Sequence, residues 1–347
     1  MTESRFLQRT YDLARTQYPH PNPRVGAVVV DRHGEIIGEG AHEGPGSPHA
    51  EALALERSTN VLGATVYVSL EPCVHHGLTP PCVDRLIEER VGRVVVGTLD
   101  PDERVSGAGV ETLRKAGIDV LVVDDPAARE VDPAYFHHRE HGMPLVTLKY
   151  AMTLDGSVAA QDRTSQWITS EEARADAHSL RAANDAVIVG TGTLVEDDPR
   201  LDVRLPGYEG PQPRPVIVAG ETELPPDRSI WGRNPVVVAP ADISIPAGDL
   251  LVVGGEGRPG PETVCRALAG AGLLSVLLEG GPTLAGAWMR AGVVQRGVVY
   301  VGSRIGGGVG RSPLGGRFGS IGDAVTAEII DIRKLGPDLR IEFVLDG

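Results

Sequence analysis

His49-Ala50-Glu51, taken with Glu71-Pro72-Cys73 and, after eight intervening residues, Cys82, decides how the rest of the chain is understood. One histidine and two cysteines can fill three corners of a tetrahedral zinc site and leave the fourth open for water. Glu51 stands two residues past the histidine, where it can move protons without being a ligand. Taken singly, each residue reads as well as a buried cysteine or a capping histidine. Together, in contexts that each suit a metal site, they point to zinc at His49, Cys73 and Cys82.

The surrounding residues support this. Ser47-Pro48 has the pattern of an N-cap and a first-turn proline, which predicts a helix over 49–58 with His49 and Glu51 on its first turn. The apolar run 64–70 predicts a buried strand ending at the first cysteine. Thr79-Pro80-Pro81 repeats the cap-and-proline signal, so Cys82 is expected near the start of a helix over 83–89. Helix N-termini favour the thiolate that zinc requires, and both cysteines are expected at such ends. The arrangement is the H-x-E…P-C signature of zinc deaminases of nucleobases, with a longer interval between the cysteines than the usual two residues. With one histidine and two cysteines already present, His75 and His76 are excluded as ligands, and His76 is expected to line the pocket.

Composition sets the limits. A chain of 347 residues accommodates two domains, and 44 glycines with 27 prolines suggest short elements joined by many turns. A net charge of −14 argues against a general affinity for nucleic acid. The first fifteen residues lack the apolar core of a secretion signal, and no stretch is long enough to span a membrane. Two of the three cysteines are explained by the motif, so a disulfide framework is not expected. These features predict a soluble cytoplasmic protein with no nucleic-acid or membrane partner.

The segment Glu71-Pro72-Cys73-Val74-His75-His76-Gly77-Leu78-Thr79-Pro80-Pro81-Cys82 resembles the zinc loop of the bifunctional riboflavin-biosynthesis deaminase/reductases, the RibD/RibG family. The resemblance extends over nearly the whole chain. It implies that Asn22, in the turn Pro21-Asn22-Pro23, contacts the pyrimidine and that His42 lies on the substrate side. Strand and helix patterns through 123 complete an α/β domain, which the resemblance makes a cytidine-deaminase-like α/β/α fold over residues 1–142. The charged, proline-containing stretch 124–142 reads as a connector with a short helix near 135–139.

Residues 143–347 carry the family's reductase motifs in order: Thr147 to Gly156, Ser165-Gln166-Trp167-Ile168-Thr169, Leu180-Arg181-Ala182, Gly190-Thr191-Gly192-Thr193, Asp197 to Arg204, and Glu279-Gly280-Gly281-Pro282-Thr283. Gly190-x-Gly192 lacks the third glycine of a dinucleotide fingerprint, because Val195 stands there. Glu279-Gly280-Gly281 before a helix is the better phosphate site, since helix-start amides face an anion. The resemblance implies a dihydrofolate-reductase-like α/β fold that uses NADPH to open a ribosyl group to ribityl. It places Lys149, Ser165, Thr169, Arg181, Arg204 and Glu279 at the substrate and Asp197 near the ring-opening oxygen. Ala151, Trp167, Thr191, Thr193, Gly280, Gly281 and Thr283 are placed beside the cofactor. Arg181 and Arg204 are the natural phosphate partners. The glycine-rich run 306–310 is expected to be a mobile loop.

Two positions depart from the family pattern. Leu78 replaces a cation in the zinc loop, and Asp102 replaces an asparagine. They leave room for a paralogue whose deaminase half has shifted in substrate or become inactive, and a zinc-stabilised scaffold is a further alternative. Glu51, which has no ligand role, counts against a scaffold. The leading expectation is a two-step enzyme acting on a phosphorylated pyrimidine, with zinc and NADPH as cofactors. Family members are typically dimers or tetramers, so a homo-oligomer is expected.

Overall fold

The computed structural model describes residues 2–345 except 104, 221–222, 308–309 and 317–319. Two compact units are present, Met1–Gly142 and Met143–Gly347.

The first unit runs α1 (Thr2–Arg15), β1 (Gly26–Val30), β2 (Ile36–Ala41), α2 (Ala50–Glu56), β3 (Thr65–Leu70), α3 (Cys82–Glu88), β4 (Arg93–Thr98), α4 (Ala108–Lys115), β5 (Asp119–Val122), α5 (Pro126–Arg129) and α6 (Pro133–His141). Its five-stranded sheet has the order β2-β1-β3-β4-β5. β1 is antiparallel to both neighbours, whereas β3, β4 and β5 run parallel. Side chains alternate along a strand, so a sheet covered on both faces reads as a continuous apolar run. Ala27, Val29, Val66 and Val68 pack beneath α2, α3 and α4. Val28, Val30 and Tyr67 face the opposite way, onto Phe6, Leu7, Tyr11 and Ala14 of α1. The result is the α/β/α sandwich that the resemblance implies.

Two expected caps take other roles. His49, not Ser47, is the N-cap of α2, and Ser47 Oγ instead bonds within its own turn, to Gly44. Cys82 opens α3 behind Pro81, so Thr79 is free of capping duty. Cys73 lies in a non-helical segment, although its sulphur accepts the Cys82 amide at 3.4 Å.

The second unit runs β6 (Leu145–Thr153), α7 (Glu171–Ala182), β7 (Ala186–Gly190), α8 (Thr191–Asp197), β8 (Arg214–Val218), β9 (Val236–Ala239), β10 (Asp249–Val252), α9 (Pro261–Gly270), β11 (Ser275–Leu278), α10 (Pro282–Arg290), β12 (Arg296–Gly302), β13 (Ala327–Leu335) and β14 (Asp338–Leu345). Its nine-stranded sheet has the order β10-β9-β8-β7-β11-β6-β12-β14-β13. It is parallel from β10 to β12 and ends in an antiparallel hairpin. Val146, Leu148, Ile188 and Val276 pack on α9 and α10, with Cys265 among the core residues. Val187, Val189 and Ile217 pack on the other face against Leu194 and Ile230. Burial pushes the Cys265 thiol up to about 12, which makes it an inert packing residue. Ser170 caps α7 by accepting the Ala173 amide, and prolines open α9 and α10. Gly308 and Val309 of the glycine-rich run lie outside the described residues, while the amides of Gly306 and Gly307 bind the Asp155 carboxylate.

Candidate active sites

In the first unit, the ends of β3, α2 and α3 bring His49, Cys73 and Cys82 together. One ligand atom from each lies within 4.8 Å of the others. His49 Nδ1 is 3.2 Å from the Cys82 sulphur and 3.5 Å from that of Cys73. Tetrahedral zinc with ordinary Zn–N and Zn–S bonds separates its ligand atoms by roughly 3.3–3.8 Å, so this donor set fits the metal. Cys73 is pushed down to about 4, chiefly by the Cys82 side chain and also by His49. Cys82 is pushed up by the thiolate beside it and by burial. Nε2 of His49 faces Thr79 Oγ1 at 3.1 Å. A histidine bound through Nδ1 carries its proton on Nε2, and Thr79 accepts it, fixing tautomer and ring orientation.

Glu51 is only 3% exposed and lines the same cavity of about 200 Å³. Burial raises its carboxyl above the usual carboxylate range. Asn22 Nδ2 is 3.0 Å from His42 Nε2, and the two line one wall. His42 is held by the Pro48 carbonyl at 3.2 Å, and burial lowers its pKa. His76 is exposed and absent from the walls; its neighbour His75 lines the cavity instead. Their order along a loop gives no indication of which one turns inward.

Sequence reasoning singled out Asp102 but missed its companions in the cavity lining, Glu71, Asp100, Tyr135 and Arg139. Glu71 accepts three backbone amides, from Asp100 (3.3 Å), Gly107 (2.9 Å) and Val110 (3.1 Å). Asp100 accepts the Asp102 amide and the Tyr135 hydroxyl, and burial raises it to about 6. Asp132 caps α6 through the Tyr135 amide and also holds His20 and the Arg24 amide. It thereby ties α6 to the turn that carries Asn22. The signal available in the sequence was Asp132-Pro133, a cap followed by a first-turn proline.

In the second unit, a cavity of about 470 Å³ brings together Lys149, Ala151, Ser165, Trp167, Thr169, Arg181, Thr193, Asp197, Arg204 and Glu279. Thr191, Gly280, Gly281 and Thr283 are not among its lining residues. Thr191 is buried at the start of α8, and Gly281 caps α10 with its amide on Thr193 Oγ1 at 3.2 Å. A helix start of this kind suits a cofactor phosphate, and a Cβ on Gly280 would press on the Leu284 side chain at 2.6 Å and have to displace it. Glu279 carries a bidentate pair from Arg181 and has Lys149 at 3.7 Å. Burial opposes its charge, yet Lys149 and Arg181 hold it down to about 2. The remaining Arg181 nitrogen donates to the Asp202 carbonyl. Arg181 is thus engaged with Glu279 and Asp202 in this structure, whereas Arg204 pairs with the Asp202 carboxylate and is half exposed.

Arg174 and Arg200 also line this cavity and were missed. Arg174 stacks over Trp167 at 4.5 Å and lies seven residues before Arg181, two turns back on the same helix face. Asp197 ends α8 at the cavity mouth, its carboxyl shifted up by partial desolvation and by Glu196. An adjoining cavity of about 600 Å³ shares Ser165 and Trp167 and includes Asp155 and Arg304. No helix among the described residues is long and apolar enough to cross a membrane.

Comparison with known proteins assigns both halves. Residues 1–98 match the cytidine and deoxycytidylate deaminase zinc-binding region, and residues 144–341 match the RibD C-terminal domain. Riboflavin biosynthesis protein RibD of Mycobacterium tuberculosis is 40% identical, with 97% of this chain and 95% of that protein covered. The Escherichia coli protein of the same description is 35% identical over 99% of this chain and 100% of its own length. Acinetobacter baumannii RibD superposes with a TM-score of 0.93 at 31% identity, covering 100% of this chain and 99% of that one. The Thermotoga maritima deaminase/reductase gives 0.89 at 31% identity, with 99% of each chain covered. A zinc-binding deaminase half and an NADPH-dependent reductase half in one chain, matched end to end by these relatives, place it in the RibD family of bifunctional deaminase/reductases of riboflavin biosynthesis.

Proposed function

We propose that the first unit removes an amino group from the ring of a diamino ribosylamino-pyrimidinone phosphate and that the second reduces the product's ribosyl group to ribityl. The observation that carries the reading is Glu51: a buried carboxyl on the cavity wall, beside three metal-type ligands and not one of them. His49, Cys73 and Cys82 would hold zinc, which when bound would supply an activated water. Glu51 would carry both protons of that water, the first to the ring nitrogen as the oxygen bonds to the amino-bearing carbon, the second from the new hydroxyl to the amine, so that the C–N bond breaks, the carbonyl forms and ammonia leaves. Asn22 and His42 orient the heterocycle.

In the second unit NADPH supplies hydride to the ribose carbon. Asp197 would supply the proton to the ring oxygen as its bond to that carbon breaks, so that hydride and proton together open the ring. Arg204 holds the phosphate, while Lys149 and Arg181 fix Glu279 against the sugar. Nothing favours the alternative of an inactive deaminase half, since Glu51, the ligand set and the cavity are all present. We place the enzyme in the cytoplasm, which three free cysteines suit. We also read it as a homo-oligomer: β13 is an edge strand with Ile329 and Ile332 exposed, and light scattering on Ile332→Lys tests that edge.

The direct test is mass-resolved product analysis with and without NADPH. Deaminated product without NADPH, and deaminated plus reduced product with it, is the expected result. Reduction of supplied intermediate by a zinc-loaded enzyme that cannot deaminate would move the reading to the paralogue.

A further inference from the structure

We propose that Arg139 is the residue that recognises the substrate phosphate in the deaminase cavity, an inference that rests on the functional reading above. The walls carry the carboxyl groups of Glu51, Glu71, Asp100 and Asp102, and among the described lining residues Arg139 is the sole lysine or arginine. A phosphate dianion cannot leave water for such a cavity without a cation to meet it. The zinc loop provides no lysine or arginine to the wall, and Leu78, 82% exposed, stands where the family pattern has a cation.

The other carboxyl groups of the lining are engaged away from Arg139. Glu71 is saturated by three backbone amides, Asp100 by the Asp102 amide and the Tyr135 hydroxyl, and Glu51 sits at the metal ligands. Asp102 is the one acid against Arg139, at 3.6 Å from Nε, close enough for an ion pair and too far for a hydrogen bond. Nε of Arg139 is buried without an acceptor within hydrogen-bond distance among the described residues. A buried guanidinium donor left unmatched is costly, and a phosphate oxygen is the acceptor its geometry suits best.

The guanidinium is also aimed in advance. Its carbon lies 5.0 Å over the Tyr135 ring, and α6, which carries both residues, is capped by Asp132. A planar cation stacked on an aromatic face loses little freedom on binding. Asp102 thus acts as a placeholder that keeps Arg139 paired until a stronger anion arrives.

The test compares Arg139→Met and Arg139→Lys in the full-length, zinc-loaded enzyme, using the phosphorylated substrate and its dephosphorylated counterpart. Arg139→Met is expected to raise KM for the phosphorylated substrate about tenfold or more, the effect of losing a charge-assisted contact, with kcat little changed. KM for the dephosphorylated compound should not move, Arg139→Lys should recover part of the loss, and competitive inhibition by inorganic phosphate should weaken. Unchanged reductase turnover and zinc content verify that the variant is folded. Equal losses on both compounds would reduce Arg139 to a structural residue and overturn the inference, as would no loss on either. A wild-type enzyme that leaves the substrate untouched would instead sink the functional reading itself.

Discussion

Arg181 grips Glu279 through two parallel hydrogen bonds of 2.7 and 2.9 Å, joining the last turn of α7 to the end of β11 at the floor of the reductase cavity. Both side chains are largely buried, Glu279 at 8% exposure. Removing one partner of such a pair costs about 3–5 kcal/mol, because the other charge stays behind uncompensated. Arg181→Ala is therefore expected to lower the stability of the second unit by a few kcal/mol, with Lys149 softening the loss. The depressed Glu279 pKa makes this stabilisation complete above the ordinary glutamate range near 4.5 and removes it as pH falls toward about 2. Urea unfolding should therefore separate variant from wild type widely at neutrality and narrowly near the acid end.

Glu51→Gln keeps the shape of the cavity and the three metal ligands while removing the proton carrier. Deaminase kcat should fall by about 10²–10⁴, with zinc content unchanged and reduction of supplied intermediate intact. Stripping zinc with a chelator should give the same split. Persistent deamination by Glu51→Gln, measured as ammonia release, would remove Glu51 from the mechanism.

Arg204 and Arg200 both pair with the carboxylate of Asp202, which is 5% exposed. Held this way, the two cations flank one point in the extended segment 200–204. Arg204→Ala should raise the reductase KM for the phosphorylated intermediate about tenfold and leave the NADPH KM unchanged. Steady-state kinetics varying each substrate in turn will separate the two.

Gly109 lies where α4 meets the zinc loop, and a Cβ there would fall 2.2 Å from the Pro72 carbonyl oxygen. Gly109→Ala should push the backbone next to Cys73 outward. Weaker zinc retention in a chelator competition, together with a lower melting temperature, is the expected outcome.

The architecture was legible in the sequence because strand and helix periods are local. Gly26–Val30 and Ala186–Gly190 announce buried parallel or central strands by unbroken apolar runs, and His49, Cys73 and Cys82 stand out by residue type and flanking turns. What could not be seen depends on distant pairings. Thr79 looked like a helix cap and is instead the partner of His49, thirty residues away. The stretch 124–142 looked like a connector, yet its α6 supplies Tyr135 and Arg139 to the deaminase wall. That Arg181 grips Glu279, ninety-eight residues on, is likewise a pairing that a sequence cannot show.

The loop between the two cysteines puts His75, Gly77, Leu78 and Thr79 on the cavity wall, and its ends are Cys73 and Cys82 themselves. It is therefore a strap buckled at both ends by the metal. Its tension and its shape are one property, so zinc loading sets the contour that the pyrimidine meets as well as supplying the reacting water. Loss of metal should then blunt substrate binding along with turnover.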